Sequence, residues 1–372
     1  MSEKTDPVIR VAVPGKLMVA GEYAVLETGQ PSIVTAVSRS VFVTIEASDT
    51  NRLDLPDLGL SGVTWELQDG RALFDVEDSR LVFIGEAIAA IAEYQSDRIA
   101  CGNVEVRSEL DDSSGRKYGL GSSAAVVVGV VAALLQLTSK TPVAPELVFR
   151  LAAVAHFRGQ GSGSGADVAA STFGGWLRYN SFSPVWLTEE LASGKPLKMI
   201  IDGPWPHLVI EPLTLPDGLE LCVGWTGTPA STGPMLERIH RFRTDEGPEY
   251  QRFLGASNAA VGLALQGFAA NDASTVLRGL TANHEALQWL GCAARAPIET
   301  ELLARLSSLA NDAGGAGKSS GSGAGDCGVA LIAPRLAEEL RREWREAGIY
   351  PLELGPAPDG VIIEPGAGLF SS

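Results

Sequence analysis

An α+β protein of two domains is expected from three features of the chain. Its 372 residues exceed what one comfortable hydrophobic core organises. Segments with strand alternation and segments with helical spacing follow one another along the length. The stretch Trp176–Leu215 is turn-rich, with Pro184, Pro196, Pro204, Pro206 and Pro212 and little periodicity, and a new strand pattern begins at Leu219. A boundary near Leu215 divides the chain into 1–215 and 216–372. Hydrophobic residues at 45% and charged residues at 20% describe an ordinary soluble globular chain.

In order, Val8–Pro14 reads as a short strand, and a Pro14-Gly15 turn delivers Lys16 into the apolar run Leu17–Ala20. Glu22 and Tyr23 follow Gly21, so three polar groups cluster at one small loop. A lysine there fits two readings, a snorkelling stem or a group held at a site. Ser32–Ala47 alternates through Val41, Val43 and Ile45, and Arg71–Val76 is a weaker strand. Leu81–Tyr94 has helical spacing, and Asn103–Leu110 is a strand leading through the polar loop Asp111–Arg116. Helices are expected over Ala124–Leu135, Pro145–Phe157, Pro234–Phe242, Tyr250–Asn271, Ala273–Leu290, Ile298–Ala313 and Pro334–Ala347. Further strands are Leu219–Trp225, Val329–Ile332, Pro351–Leu354 and Val361–Glu364.

Three Gly/Ser loops punctuate this series. The first, Lys117-Tyr118-Gly119-Leu120-Gly121-Ser122-Ser123, runs into twelve residues, Ala124–Leu135, with no polar side chain. That run is too uniformly apolar for a surface helix, so a buried helix is expected whose first turn is Ser122-Ser123, a preferred N-cap pair. A helix N-terminus offers unpaired N–H groups and partial positive charge, and glycines let an anion approach the backbone; together they suit phosphate. The second loop, Gly159–Gly165, ends at Asp167 in the first turn of an apolar helix. The third, Gly314–Gly328, contains Lys318 and is expected to lead into a strand. Ser231 or Thr232 would cap another helix.

Other features narrow the classes. A net charge of −16 argues against nucleic acid and requires any anion site to be locally basic. Cys101, Cys222, Cys292 and Cys327 show no metal-ligand spacing, consistent with free thiols in a reducing cytoplasm. Met1–Arg10 is polar, and the longest apolar run falls short of the roughly 20 residues of a membrane span. Gly161-Ser162-Gly163-Ser164-Gly165-Ala166 imitates a dinucleotide fingerprint, but a helix precedes it where a strand is required. Gly317-Lys318-Ser319 resembles the end of a P-loop, yet the motif's first glycine would fall on Asp312. Gly317–Gly321 fits a nucleophile elbow in the wrong context, helix to strand. None of His156, His207, His240 and His284 stands in a triad-like context.

Three glycine loops with Lys16 and Asp167 suggest a cleft for a triphosphate, and at this point the chain resembles a known family. Pro14–Leu26, Lys117–Ala125 and Lys318–Gly328 match, in order, the signatures of the GHMP small-molecule kinases. Within them it is similar to bacterial phosphomevalonate kinases, through Gly15-Lys16-Leu17, Gly21–Leu26, Val223–Thr226, Ala230-Ser231-Thr232 and Gly325–Gly328. Mevalonate kinases carry a metal-binding Glu on the helix before the catalytic Asp. Eleven residues before Asp167 stands His156. Another GHMP kinase, such as mevalonate kinase, is the alternative, with a diphosphomevalonate decarboxylase further off.

The resemblance implies a two-domain GHMP kinase fold: a ribosomal protein S5 domain 2-like α/β domain with a left-handed crossover, then a ferredoxin-like domain. It implies a cytoplasmic enzyme using ATP and Mg2+, with phosphomevalonate as acceptor and neither nucleic acid nor membrane as partner. Lys16 and Asp167 match the catalytic lysine and aspartate. Lys117, Gly119, Leu120, Gly121, Ser122, Ser123 and Ala124 would hold ATP, with Ser122 or Ser123 on the metal. Lys16, Glu22, Tyr23, Ser162, Ser231, Thr232, Lys318, Ser320 and Gly321 are the expected acceptor residues.

Overall fold

A computed structural model describes residues 8–96, 102–112, 115–229 and 232–365. The first unit is built on a long hairpin, β1 (Val8–Ala20) and β2 (Pro31–Ala47). Val41, Val43 and Ile45 are buried while Phe42 and Thr44 between them are partly exposed, the alternation of a sheet covered on one face. β3 (Arg52–Leu55), β4 (Leu60–Gln68) and β5 (Arg71–Phe74) precede α1 (Val82–Tyr94), and β6 (Gly102–Ser108) follows it. α2 (Ser122–Thr138), α3 (Pro145–Gln160), α4 (Ala166–Phe173), β7 (Trp176–Asn180), α5 (Pro184–Ala192), α6 (Leu197–Asp202) and β8 (Val209–Leu213) complete it. Ala124–Leu135 is buried almost throughout as the middle of α2, which packs on β1 and β2.

The second unit starts at β9 (Glu220–Trp225) and continues through α7 (Thr232–Asp245), α8 (Gly247–Ala270), α9 (Ala273–Ala293) and α10 (Glu301–Asp312). Then come β10 (Ala316–Ser319), β11 (Cys327–Ile332), α11 (Pro334–Glu346) and β12 (Tyr350–Leu352). Its four strands are antiparallel in the order β10-β11-β9-β12. Counted along the chain this is second, third, first, fourth, the ferredoxin-like arrangement. Trp344, Leu340 and Leu306 close one face of this sheet. Val261, Ala264 and Phe268 of α8 join the first unit's core instead, with Phe268 against Trp176 at 5.8 Å. α8 is apolar and long enough in composition to span a bilayer, but here its length packs against α9.

The last strand, β13 (Ile362–Pro365), returns to the first unit and pairs antiparallel with β1 through Ile9–Ala12. The second domain is therefore not the contiguous 216–372 expected. The first sheet has nine strands, β13-β1-β2-β6-β3-β4-β5, with β7 on the opening half of β2 and β8 beyond it. β3 and β6 form its parallel pair.

Other local expectations are corrected. Pro14-Gly15 is not a turn but a register irregularity inside the continuous β1. The stretch read as turn-rich holds two strands and two helices, because its prolines sit where proline is tolerated. Pro184 opens α5, Pro196 precedes α6 and Pro212 lies on β8, an edge strand. The third glycine loop contains β10. β3 and β4 carried no clear signal. Cys222 and Cys327 are buried free thiols and Cys292 an exposed one, while Cys101 and residues 1–7 lie outside the described residues.

Candidate active site

Lys16 leaves β1 just past the irregularity, and its backbone N–H donates to Leu120 O at 2.8 Å, fastening the strand to the first glycine loop. The loop is compressed from two sides. Gly121 has φ +79°, and a Cβ there would stand 2.7 Å from Lys16 Cε, so the lysine stem lies across the loop. Gly119 has φ +83°, and a Cβ there would stand 2.6 Å from Asp326 Cβ in the second unit. Cys327 Sγ also reaches Tyr118 O at 3.0 Å. Glycine at 119 lets the second unit approach this turn, and glycine at 121 leaves room for the Lys16 stem.

Ser122 and Ser123 form the first turn of α2, as the sequence predicts, but they do not cap it. Gly121 is the cap instead, in the left-handed region and without a side-chain hydrogen bond. Both hydroxyls thus begin the helix itself, beside its unpaired amides. Ser123 Oγ lies 3.2 Å from His156 Nε2.

Asp167 occupies the first turn of α4, behind Gly165 in the left-handed region. Its Oδ1 accepts the Val168 N–H at 2.9 Å, and its Oδ2 lies 4.0 Å from His156 Nε2. Tyr179 nearby is buried, and burial first, then the Asp167 charge, pushes its phenol well above the ordinary value. His156 stacks on Phe83 at 5.1 Å and 17°. A cavity of about 150 Å³ is lined by Lys16, Glu22, Tyr23, His156, Asp167 and Gly321, among others. Lys16 and Asp167, 151 positions apart, thus face one space.

Several expected acceptor residues are otherwise engaged. Lys318 is 0% exposed and its ammonium forms an ion pair with Glu22, which is 2% exposed. It also donates to Ser319 O at 2.6 Å. Burial pushes the Lys318 ammonium below its ordinary value, and Glu22 opposes that shift. The expectation of Lys318 as an anion ligand is corrected: it is a buried structural cation. Ser320 Oγ donates to Met18 O at 2.8 Å, so its hydroxyl too is used inside the fold. The Tyr23 hydroxyl donates to Ser322 O, and the residue is held at φ 60°.

Ser162 is exposed and lines an adjoining cavity of about 780 Å³ that shares Gln160 and Leu236 with the first. Lys117 is exposed, with its backbone bridged to Asp111. Thr232 opens α7, and Ser231 lies outside the described residues.

His156 was missed. It lies between Ser123 and Asp167, although both approach the same Nε2, which rules out a proton relay through the ring. Its position before Asp167 was countable, but that it faces the cavity depends on how α3 meets α2 and α4. Among the described residues, no group of three or more His, Cys, Asp or Glu could hold a metal ion. Mg2+ fits this poverty of ligands, since it takes one or two protein groups and draws the rest from phosphates and water.

Family models described as GHMP kinases N terminal domain and GHMP kinases C terminal match residues 83–175 and 264–349. A phosphomevalonate kinase of Streptomyces sp. (strain CL190) is 36% identical over 365 residues, 94% of this chain and 97% of that protein. The chain belongs to the GHMP kinases. A solved structure of the Lin0012 protein from Listeria innocua superposes on this GHMP kinase with a TM-score of 0.89 and 39% identity, covering 96% and 99% of the two chains. Streptococcus pneumoniae phosphomevalonate kinase in complex with phosphomevalonate and AMPPNP gives 0.80 and 25%, covering 94% and 99%. In this GHMP kinase the N-terminal match takes in the first glycine loop and Asp167, and the C-terminal match takes in Lys318. Lys16 lies outside both.

Proposed function

We propose that this chain is a phosphomevalonate kinase, moving the γ-phosphoryl of ATP onto the phosphate of 5-phosphomevalonate to give 5-diphosphomevalonate in the mevalonate route to isoprenoids. The observation that carries the reading is Lys16 and Asp167 lining one cavity beside the glycine loop, in a chain 36% identical to a phosphomevalonate kinase. Residues 1–215 supply the nucleotide loop, and residues from 216 onward close the cavity through Gly321 and Leu236.

Phosphoryl transfer requires charge neutralisation, in-line positioning and exclusion of water more than covalent help. The amides of Gly119–Ser123 hold the donor phosphates at the start of α2. Ser123, Ser122 and Asp167 are the residues that would hold Mg2+, which when bound neutralises phosphate charge. The Lys16 ammonium stabilises charge on the migrating group. Among the described residues lining this cavity Lys16 is the one lysine or arginine, and Lys318, outside that lining, is paired with Glu22. In a chain of net charge −16, that makes it the local basic element any anion site requires. A coupled assay with ATP and Mg2+ tests the reading. ADP is expected with phosphomevalonate and barely any with mevalonate; equal or faster turnover of mevalonate would overturn it.

Asp167 then has a particular task. A phosphate monoester has its second pKa near about 6 and is largely dianionic at pH 7, so its attacking oxygen needs little deprotonation. The larger obstacle is bringing two polyanions together. Asp167 therefore serves chiefly to orient Lys16 and the metal, with proton removal secondary. Asp167→Asn should lose activity heavily, and raising the pH from 7 to 9 should not restore it. Steady recovery along that pH–rate profile would identify a lost general base instead.

A further inference from the structure

The geometry points to His156 as a positioning residue whose Nε2–H, directed at Ser123 with the Asp167 carboxylate nearby, fixes the Ser123 hydroxyl so that its proton is offered to the donor phosphates. This deepens the kinase reading above and rests on it.

The ring has little freedom. It is 3% exposed, and Phe83 lies against its face at 5.1 Å and 17°. Nε2 stands 3.2 Å from Ser123 Oγ and 4.0 Å from Asp167 Oδ2. Which nitrogen carries the proton decides what Ser123 can do. A bare Nε2 would turn its lone pair toward the Asp167 carboxylate and oblige Ser123 to donate into the ring. A protonated Nε2 points its hydrogen at an anion and a hydroxyl oxygen, which is electrostatically favourable. With the proton there, Ser123 Oγ accepts from the ring, and its own hydrogen requires another acceptor. Ser123 is in the first turn of α2, where the amides of the glycine loop point out unpaired, so the acceptors expected on that side are phosphate oxygens. Asp167 Oδ1 accepts the Val168 N–H, and its Oδ2, 4.0 Å from Nε2, is a negative neighbour of the ring rather than a hydrogen-bond partner. One buried ring thus sets a donor on the nucleotide side.

Two substitutions and one spectrum test this. His156→Gln keeps an N–H donor of similar reach, and His156→Leu keeps bulk without the donor. With ATP and phosphomevalonate, His156→Leu should lower kcat by about tenfold to a hundredfold, the scale of a misplaced group, with KM for ATP little changed. His156→Gln should restore most of the loss. Long-range 15N–1H spectra of the histidine rings, with the His156 signal identified by its absence in His156→Gln, should show the proton on Nε2. Equal kcat in the two variants, or a proton on Nδ1, would overturn the proposal. The spectrum needs no turnover and holds if the Leu variant misfolds. A wild-type protein inactive on phosphomevalonate would refute the kinase reading, while the spectrum still decides the hydrogen-bond assignment.

Discussion

Replacing Lys16 with methionine is expected to lower kcat at least about a hundredfold, the scale for losing a preorganised charge stabiliser. Methionine keeps most of the stem that lies across Gly121, so the packing of the glycine loop survives. The Lys16 N–H to Leu120 O bond belongs to the backbone and survives as well. What disappears is the positive charge of a side chain that lines the same cavity as Asp167. KM for ATP should therefore move by far less than kcat, since the loop amides hold the phosphates without the side chain. Steady-state kinetics with a thermal melt as control measures both. A variant that keeps most of its turnover would mean that the stem packs and the ammonium does nothing.

Changing Lys318 to methionine should cost about 3–5 kcal/mol of stability, because it leaves the Glu22 carboxylate buried and uncompensated. Glu22 Oε2 already lacks a hydrogen-bond partner, so the pair leaves little slack for a second loss. Glu22→Gln should be similarly harmful, stranding the ammonium in a fully buried position. The double substitution Lys318→Met with Glu22→Gln should recover part of the loss, since neither charge then remains to be desolvated. Chemical denaturation of all four proteins closes the cycle. Single variants within about 1 kcal/mol of wild type would show the pair to be dispensable. The two residues are 296 positions apart and join the loop after β1 to β10. Loosening them should therefore also disturb the wall of the cavity formed by Tyr23 and Gly321.

Local patterns made much of this chain readable. The unbroken apolar run of α2, the alternation of β2 and the helical spacing of α1, α3 and α9 are properties of neighbouring residues, and the structure contains each. Lys16 and Asp167 stood out because each adjoins a glycine loop. Lys318 looked like a loop cation for the same reason, and its buried partner, Glu22, lies in the other unit, where no local pattern could point to it. His156 was discounted because a histidine is judged by what it touches, and Ser123 and Asp167 reach it only once three helices have packed. The strands and helices of 176–213 were hidden by prolines that here mark where elements begin.

The return of residues 362–365 to β1 has a consequence for how the protein is made. β1 is synthesised before every other strand described above, yet its outer neighbour is synthesised after the entire second unit. Until then the backbone groups of Ile9–Ala12 that face β13 form an open sheet edge. The first unit therefore cannot be completed in the order of synthesis, domain by domain. Its last ladder is among the most sequence-distant in the molecule, and it closes only after the chain has left and re-entered the same sheet.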